Sequence, residues 1–194
     1  MLSETVSIAP VASAAAMVQR PQRADARRNF DALLAAAREA FTQHGAGASL
    51  EDIARRAGVG VGTLYRNFPT REALIEAVYV DEVVALEQAA RDTEGLEPWE
   101  ALRTWLHRYV EYVGTKKALV EVLNKHSEVM AACRASLYGA GGPVVERGQR
   151  AGVVRADTSI SDIVRLVSGV AGVAYEDEAQ RERVLDLTIG ALHA

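Results

Sequence analysis

Apolar side chains recur along this chain at intervals of three and four residues, the spacing of one face of an α-helix. The pattern predicts a first helix over residues 27–44, a second beginning at Ser49 and a third over residues 60–68. Pro69 ends the third helix, and a fourth then continues to about Arg91. No strand pattern competes with helix anywhere, so we predict an all-α fold of about nine helices.

The second half of the chain carries further helical stripes. One helix is predicted from the pattern of residues 99–113 and the next from that of residues 119–137. Residues 138–143 contain three glycines and a proline and are predicted to form a loop, because Gly and Pro interrupt helices. A short helix follows this loop, and two strongly apolar helices, over 160–174 and 184–192, complete the fold.

The stripes of the two terminal helices are broad, and small residues between them allow a close helix approach. Part of each stripe must be intramolecular core. The remainder is predicted to form a homodimer interface, since an apolar surface of this breadth needs a partner. The residues assigned to the interface are Ile163, Val167, Val170, Ala171, Ala174, Val184, Leu185 and Ile189.

Residues 49–68 are the most informative stretch and read SLEDIARRAGVGVGTLYRNF. The apolar spacing gives two short helices on either side of Gly58, where a left-handed or tight turn needs a residue without Cβ. Two helices joined by a turn of three or four residues have the shape of a helix-turn-helix, whose second helix enters the DNA major groove. The stretch is therefore predicted to bind double-stranded DNA.

The third helix carries the side chains best suited to DNA. Thr63 and Arg66 lie on its exposed side, and guanidinium is the preferred partner of guanine. Gly60 and Gly62 leave the start of the helix without side chains, so its backbone N–H groups can approach phosphates.

Four further residues are assigned to the DNA backbone. Tyr65 and Asn67 are suited to donating hydrogen bonds to phosphate oxygens. Tyr65 also occupies a core spacing, so burial of its ring with the hydroxyl outward is an open alternative. Arg27 and Arg28 are suited to following phosphates or entering the minor groove as an arm.

The string GVGTLYRNF at residues 60–68, followed by REAL at 71–74, resembles the TetR family of bacterial one-component transcriptional repressors. The family core is similar to G-x-L-Y-x-H-F and follows a helix like I-A-x-x-A-G-V, which this chain also carries. Asn67 stands where the family more often has His, and Asn can still donate to a phosphate. The resemblance places the same positions at the operator and adds Ser49 and Arg71 on the DNA backbone.

The resemblance also implies architecture and partners. It implies a homodimeric repressor on a palindromic operator, with a four-helix bundle at the dimer interface and a small-molecule effector bound among the middle helices. Residues 1–20 are of low complexity and lack helical periodicity, so they are predicted to form a disordered N-terminal arm. A DNA-binding domain over 21–83 and an effector-binding and dimerisation domain over 84–194 are predicted to follow. Met17 is an alternative natural start.

The candidate effector pocket consists of aromatic and polarisable side chains of the middle helices, which combine apolar walls with polar groups. Such residues at helical spacing are also typical of a core, and that alternative stays open. The candidate residues are Trp105, Tyr109, Tyr112, His126, Met130, Cys133 and Tyr138.

Charge is distributed unevenly along the chain. The whole chain carries −4, whereas residues 20–71 hold nine arginines and five acidic residues and carry +4, which leaves −8 on the remainder. A basic module on an acidic body concentrates positive potential where a polyanion would dock. The distribution supports DNA binding by the N-terminal module.

Other classes of function find little support. Cys133 is the single cysteine, so no internal disulfide is expected and a reducing compartment fits best. The four histidines lack metal-ligand spacing, and the glycine-rich run at 58–62 lacks the strand context of a dinucleotide site. We therefore expect no metal, no cofactor and no catalysis, and, because no long apolar run exists, no membrane span and a cytoplasmic location. The alternatives are a ligand-independent regulator of the same fold and an all-α enzyme.

Overall fold

The computed structural model describes residues 14–120, 122–123 and 128–194. In these residues the chain is all-α, as predicted, and the one β-type pairing among them is a bridge between Val154 and His193. Two 3₁₀ turns lie at Ala14–Met17 and Gly45–Gly47. The described α-helices are α1 (Ala24–His44), α2 (Leu50–Arg56), α3 (Val61–Asn67), α4 (Arg71–Asp92), α5 (Pro98–Leu119), α6 (Glu128–Arg150), α7 (Ile160–Ala171) and α8 (Glu178–Gly190).

The first three helices form a small module around the buried face of α1. Phe30, Leu33 and Phe41 lie on that face, one helical turn or two apart, and α1 contacts both α2 and α4. Gly58 has a φ of +69° between α2 and α3, which confirms the predicted left-handed turn residue. The hydroxyl of Ser49 accepts a hydrogen bond from the Asp52 N–H at 3.2 Å and so caps α2.

Ser49 and Asp52 have the spacing of a reciprocal capping box, and only half of it forms. The Asp52 carboxylate accepts a hydrogen bond from Arg55 at 2.7 Å instead of returning to the start of the helix. The complete box occurs at the start of α7, where the Asp162 carboxylate accepts from the Ser159 backbone N–H at 2.9 Å.

The loop predicted at residues 138–143 is wrong, because these residues lie inside α6. Pro143 removes one backbone hydrogen bond from the helix, which normally costs about 3 kcal/mol. Buried apolar residues on both sides of it, Leu137 and Val144, keep the helix packed and offset that cost. The helix predicted from residues 119–137 also differs, since α5 ends at Leu119 and α6 begins at Glu128.

Gly141 allows the closest approach between α6 and the core. A Cβ at this position would lie 2.4 Å from Cη2 of Trp105 and 2.8 Å from Cδ1 of Ile160. The Trp105 ring is fully buried, and its indole N–H donates to the Leu86 carbonyl at 3.3 Å, so it has little room to move. The glycine is therefore required by packing and not by a turn.

We expect Gly141→Ala to lower the free energy of unfolding by about 1–3 kcal/mol, because the added methyl overpacks the core. Urea denaturation followed by circular dichroism measures this change. Gly142→Ala is the matched control in the same helix, since no atom lies within 4 Å of its Cβ position. The control is expected to be neutral or stabilising, as Ala favours helix over Gly by about 1 kcal/mol. Equal losses at both positions would contradict the packing argument.

Helix α4 belongs to both halves of the molecule. It contacts α1 on one side and α5 and α6 on the other. The domain boundary predicted between residues 83 and 84 falls inside this continuous helix. The N-terminal module and the helical body therefore share α4 as a common element.

A chain of ion pairs crosses α4 from α1 to α5. The Glu82 carboxylate is 2% exposed, and it pairs with Arg38 of α1 and with Nη2 of Arg108 of α5, the latter at 3.0 Å. Its neighbour Asp81 pairs with Nη2 of Arg38 at 2.7 Å and also with Arg20. A buried carboxylate held by two guanidinium groups ties α1, α4 and α5 together.

Residues 14–20 are packed against the body, although their composition predicted a disordered arm. The Ala14 N–H donates to Oε1 of the buried Glu87 at 3.0 Å, and the Ala14 side chain is fully buried. Arg20 pairs with Asp31 of α1 at 2.8 Å. Low complexity predicts disorder only when a segment finds no partner surface, and here α4 and α6 provide one. The part of the predicted arm that precedes Ala14 lies outside the described residues.

Candidate nucleic-acid interface

Helix α3 presents a mixed surface to solvent. Leu64 points into the module and is 1% exposed, whereas Tyr65 is 46% exposed and Arg66 is also exposed. This exposure favours an outward Tyr65 ring over the alternative in which the ring is buried and only the hydroxyl faces solvent. Val61 is 41% exposed at the start of the helix, and the preceding Gly60 is exposed without a side chain.

The polar side chains of α3 are held against their own helix. Nε of Arg66 donates to the Gly62 carbonyl at 3.1 Å, and its Nη2 donates to Oγ1 of Thr63 at 3.2 Å. Nδ2 of Asn67 donates to the Thr63 carbonyl at 2.8 Å, and the residue is half-buried. These contacts preorient Thr63 and Arg66 on one outer edge of α3.

Two residues that the resemblance placed on the DNA backbone have structural partners. Nη1 of Arg71 donates to the carbonyls of Ala46 and Ala48 at 2.9 and 2.6 Å, so it closes the connection between α1 and α2. Ser49 caps α2, and its hydroxyl also donates to Glu51 at 3.1 Å. Both side chains stabilise the backbone that positions the helix-turn-helix.

The first turn of α1 lies beside α3. A recess of about 400 Å³ separates the two, and Arg66 and Thr63 line one of its sides. Arg23, which precedes α1, and Asn29 of α1 also line it, whereas Arg27 and Arg28 are exposed outside the recess. The described residues of its lining are Arg23, Asp25, Ala26, Asn29, Thr63, Arg66 and Asn67.

Sequence reasoning selected Arg27 and Arg28 and missed Arg23 and Asn29. The helical stripe that contains the buried Phe30 passes through positions 26 and 23, so the spacing could have indicated Arg23, whereas it does not include Asn29. Arg28 also pairs with Asp25 on its own helix, and the Asp25 carboxylate offsets part of the positive charge of Arg28. The recess therefore adds two polar groups to the surface around α3.

A second site lies in the helical body, between α4, α5, α6 and α7. It is a cavity of about 260 Å³, and four of the seven predicted pocket residues line it. Trp105 and Cys133 are fully buried and lie outside its lining, and His126 lies outside the described residues. The lining consists of Tyr79, Tyr109, Tyr112, Lys116, Met130, Arg134, Leu137, Tyr138, Val164, Arg165 and Ser168.

Hydrogen bonds join the phenols of this cavity. The Tyr79 and Tyr112 hydroxyls lie 2.9 Å apart, and the Tyr109 hydroxyl lies 2.6 Å from Oγ of Ser168. Burial raises the pKa of Tyr79 to about 12 and also raises the pKa of Tyr109 and of Tyr112. The phenols therefore stay neutral near pH 7 and serve as hydrogen-bonding groups.

Two protein-family models match the chain. The model of bacterial regulatory proteins of the tetR family matches residues 33–78, from α1 into α4. The model of the C-terminal domain of SbtR-like transcriptional regulators matches residues 97–194, half of the chain. The chain belongs to the TetR family.

Solved structures of TetR-family proteins agree with this assignment. A TetR transcriptional regulator from Streptomyces coelicolor is 39% identical with a TM-score of 0.75, and the match covers 84% of this chain and 97% of that one. A TetR regulatory protein from Mycobacterium vanbaalenii is 34% identical with a TM-score of 0.71, over 90% and 100% of the two chains. PfmR from Thermus thermophilus, at 19% identity and a TM-score of 0.59 over 82% and 96%, is similar in fold.

The family and fold of the chain are those of DNA-binding transcriptional regulators and not of enzymes. Among the residues that the structure describes, no three His, Cys, Asp or Glu side chains gather as a metal site would require. None of the described helices is both long and apolar enough to cross a membrane.

In this TetR-family chain apolar side chains are exposed on α7, on α8 and just after the end of α7. Leu166 is 45% exposed, Val173 is 55% exposed and Leu187 is 73% exposed. Of the residues predicted for a dimer interface, Ala174 is exposed, and Val170, Ala171 and Val184 are half-buried. The other four, Ile163, Val167, Leu185 and Ile189, are buried within the chain itself, because they face its own core.

Proposed function

We propose that this TetR-family regulator is a dimeric repressor that binds a palindromic operator and is released from it by a small-molecule effector. The observation that carries the DNA-binding role is the outer surface of α3, where Tyr65 and Arg66 are exposed and Thr63 is half-buried on a basic module. Such a helix fits the major groove, and its positive charge attracts phosphates. The protein would act in the cytoplasm, on the nucleoid.

The proposed contacts divide between base edges and phosphates. Arg66 and Thr63 read bases, and Tyr65 donates to a phosphate. Gly60 and Gly62 admit the DNA backbone to the start of α3. These roles suit the exposed Arg66, whose hydrogen bonds are to residues of its own helix, and the half-buried Thr63 beside it.

The remaining candidates take more limited roles in the proposal. Asn67, Ser49 and Arg71 stabilise the backbone of the module through their hydrogen bonds and offer DNA only their remaining polar atoms. Arg27 and Arg28 provide general positive potential at the N-terminal end of α1.

The proposed dimer rests on the exposed apolar side chains of α7, of α8 and of the segment that follows α7. Leu166, Val173 and Leu187 are 45–73% exposed and gain free energy when a second copy covers them. A two-fold arrangement makes the same face meet itself. It also presents two copies of α3 to two half-sites, which dimers of helix-turn-helix proteins bind about 34 Å apart.

Effector release is supported by the position of the cavity relative to α4. Tyr79 lines the cavity, and Glu82, one turn later on the same helix, holds α1 through Arg38. A ligand that binds one arrangement of α4 more tightly than another shifts the population of the DNA-binding arrangement by that difference in affinity.

The DNA-binding role is tested by Arg66→Ala. We expect binding to DNA from upstream of the protein's own gene to weaken by about 1–3 kcal/mol, with a relaxed preference at one base pair. Fluorescence anisotropy at fixed salt measures both, with single base-pair variants of the bound fragment.

Arg91→Ala is the matched control, because Arg91 is an exposed arginine whose side chain contacts only Gln88 of its own helix among the described residues. It is expected to leave DNA affinity unchanged. Unaltered affinity and base preference in Arg66→Ala would remove the proposed reading role of α3.

A further inference from the structure

The walls of the body cavity are built from a run of aromatic rings. The centroid of Tyr112 lies 5.6 Å from that of Tyr109 and 5.9 Å from that of Tyr79. Trp105 stacks behind Tyr109 at 5.8 Å with a 15° angle between the rings, which holds that wall in place. Met130 and Leu137 complete the apolar surface. Such walls favour a flat ring, which gains offset-stacking and sulfur–aromatic contacts.

The mouth of the cavity carries three cations. Lys116, Arg134 and Arg165 are among the lining residues, and the two arginines are exposed whereas Lys116 is half-buried. Nζ of Lys116 lies 5.7 Å from the centroid of the Tyr112 ring. None of the described residues that line the cavity has a carboxylate, and none of the described ion pairs involves Arg134 or Arg165.

The cations at the mouth and the neutral polar groups inside the cavity together favour an anionic ligand. The buried polar groups among the described lining residues are neutral phenols and hydroxyls, so they leave the charge of Arg134 and Arg165 to a ligand. The two guanidinium groups repel a cationic ligand and give a neutral ligand no charge–charge attraction. An anion gains charge-assisted hydrogen bonds, which a guanidinium makes to a carboxylate in a two-point geometry.

We propose that the cavity binds a small aromatic carboxylate, with its ring against the tyrosines and its carboxylate toward Arg134 and Arg165. This proposal rests on the proposed function, because it names the chemical class of the effector. The cavity lies just below the usual range of about 300–1,000 Å³ for ligand pockets, which favours a compact molecule of about two rings.

The test uses the full chain and a matched pair of probes, 1-naphthoate and the isosteric neutral 1-naphthamide. Isothermal titration calorimetry is expected to show naphthoate binding at least about tenfold more tightly than naphthamide. The double variant Arg134→Gln, Arg165→Gln is expected to reduce naphthoate affinity to that of naphthamide. Both arginines are exposed, so the variant keeps the fold, which circular dichroism checks.

Arg103→Gln is the matched control variant, because Arg103 is an exposed arginine of α5 that does not line the cavity. It is expected to bind naphthoate as the unaltered protein does. Equal affinity for the two probes, an equal loss in Arg103→Gln, or no naphthoate binding at about 1 mM would overturn the proposal. Decanoate binding more tightly than naphthoate would overturn its aromatic part.

DNA anisotropy with the same probes separates this proposal from the proposed function. Naphthoate that binds the cavity and leaves DNA affinity unchanged supports the ligand class and contradicts effector release. Release of DNA by naphthamide alone supports effector release and overturns the ligand class. Release by naphthoate that is lost in the double arginine variant supports both.

Discussion

Leu187→Glu is expected to convert the proposed dimer to a monomer and to lower the affinity for a two-half-site operator by about a hundredfold or more. Leu187 is 73% exposed on α8, so a carboxylate there stays hydrated in the single chain and changes its free energy of unfolding little. In the proposed interface the same carboxylate would lose its water, which is unfavourable. Two linked binding modules gain about 10²–10⁴ in avidity over one, and the monomer loses that gain. Analytical ultracentrifugation and DNA anisotropy measure the two effects.

The matched control for this variant is Leu96→Glu. Leu96 is another exposed leucine, 36% exposed between α4 and α5 and outside the proposed interface. It is expected to leave both the mass in solution and the operator affinity unchanged. Affinity for a single half-site should be the same in all three proteins, since α3 is untouched. A dimer that persists in Leu187→Glu would place the interface elsewhere.

Glu82→Ala is expected to lower the free energy of unfolding by about 2–3 kcal/mol, because it leaves Arg38 and Arg108 without their shared buried carboxylate. The loss is smaller than for a fully buried pair, since the two arginine side chains keep 36% and 20% of their exposure and are partly hydrated. Urea denaturation measures the change. The variant also removes the contact that joins α1 to α5 through α4.

Glu111→Ala provides the comparison, because Glu111 pairs with the same Arg108 at 3.4 Å but is 71% exposed. A surface pair of this kind contributes about 0.5 kcal/mol or less. Glu82→Gln keeps the volume of the side chain and isolates the loss of charge, with an intermediate effect expected. Equal effects of Glu82→Ala and Glu111→Ala would show that burial does not increase the contribution of the Glu82 ion pairs to the free energy of unfolding.

Local rules were sufficient for the N-terminal module. The stripe through Phe30, Leu33 and Phe41 predicted α1, and Gly58 predicted the left-handed turn, because both depend on neighbours a few residues away. The same local rules failed at Pro143. There the helix continues because the residues around it are buried against Trp105 and other distant side chains, which no short window contains.

The site residues show a similar division. Chemistry of residue types identified Arg66 and Thr63 as exposed polar groups of α3, and the structure brings them together. Arg71 was also recognised as a donor. Its acceptors are carbonyls more than twenty residues earlier, and the sequence does not show that these residues lie close to Arg71 in space. Tyr79 of the cavity was missed for the same reason, since its place opposite Tyr112 depends on how α4 crosses α5.

Because α4 is long, a small rotation about one point of the helix displaces its distant end by a larger amount. Its 22 residues span about 33 Å at 1.5 Å per residue. If the helix pivots by about 5° near Glu82 and Tyr79, the part that leads into α3 swings by roughly 1–2 Å, and a pivot at the far end would double that swing. In a two-fold pair the displacements add, so a tilt too small to disturb the core would misalign the two recognition helices by up to about one base-pair step of 3.4 Å.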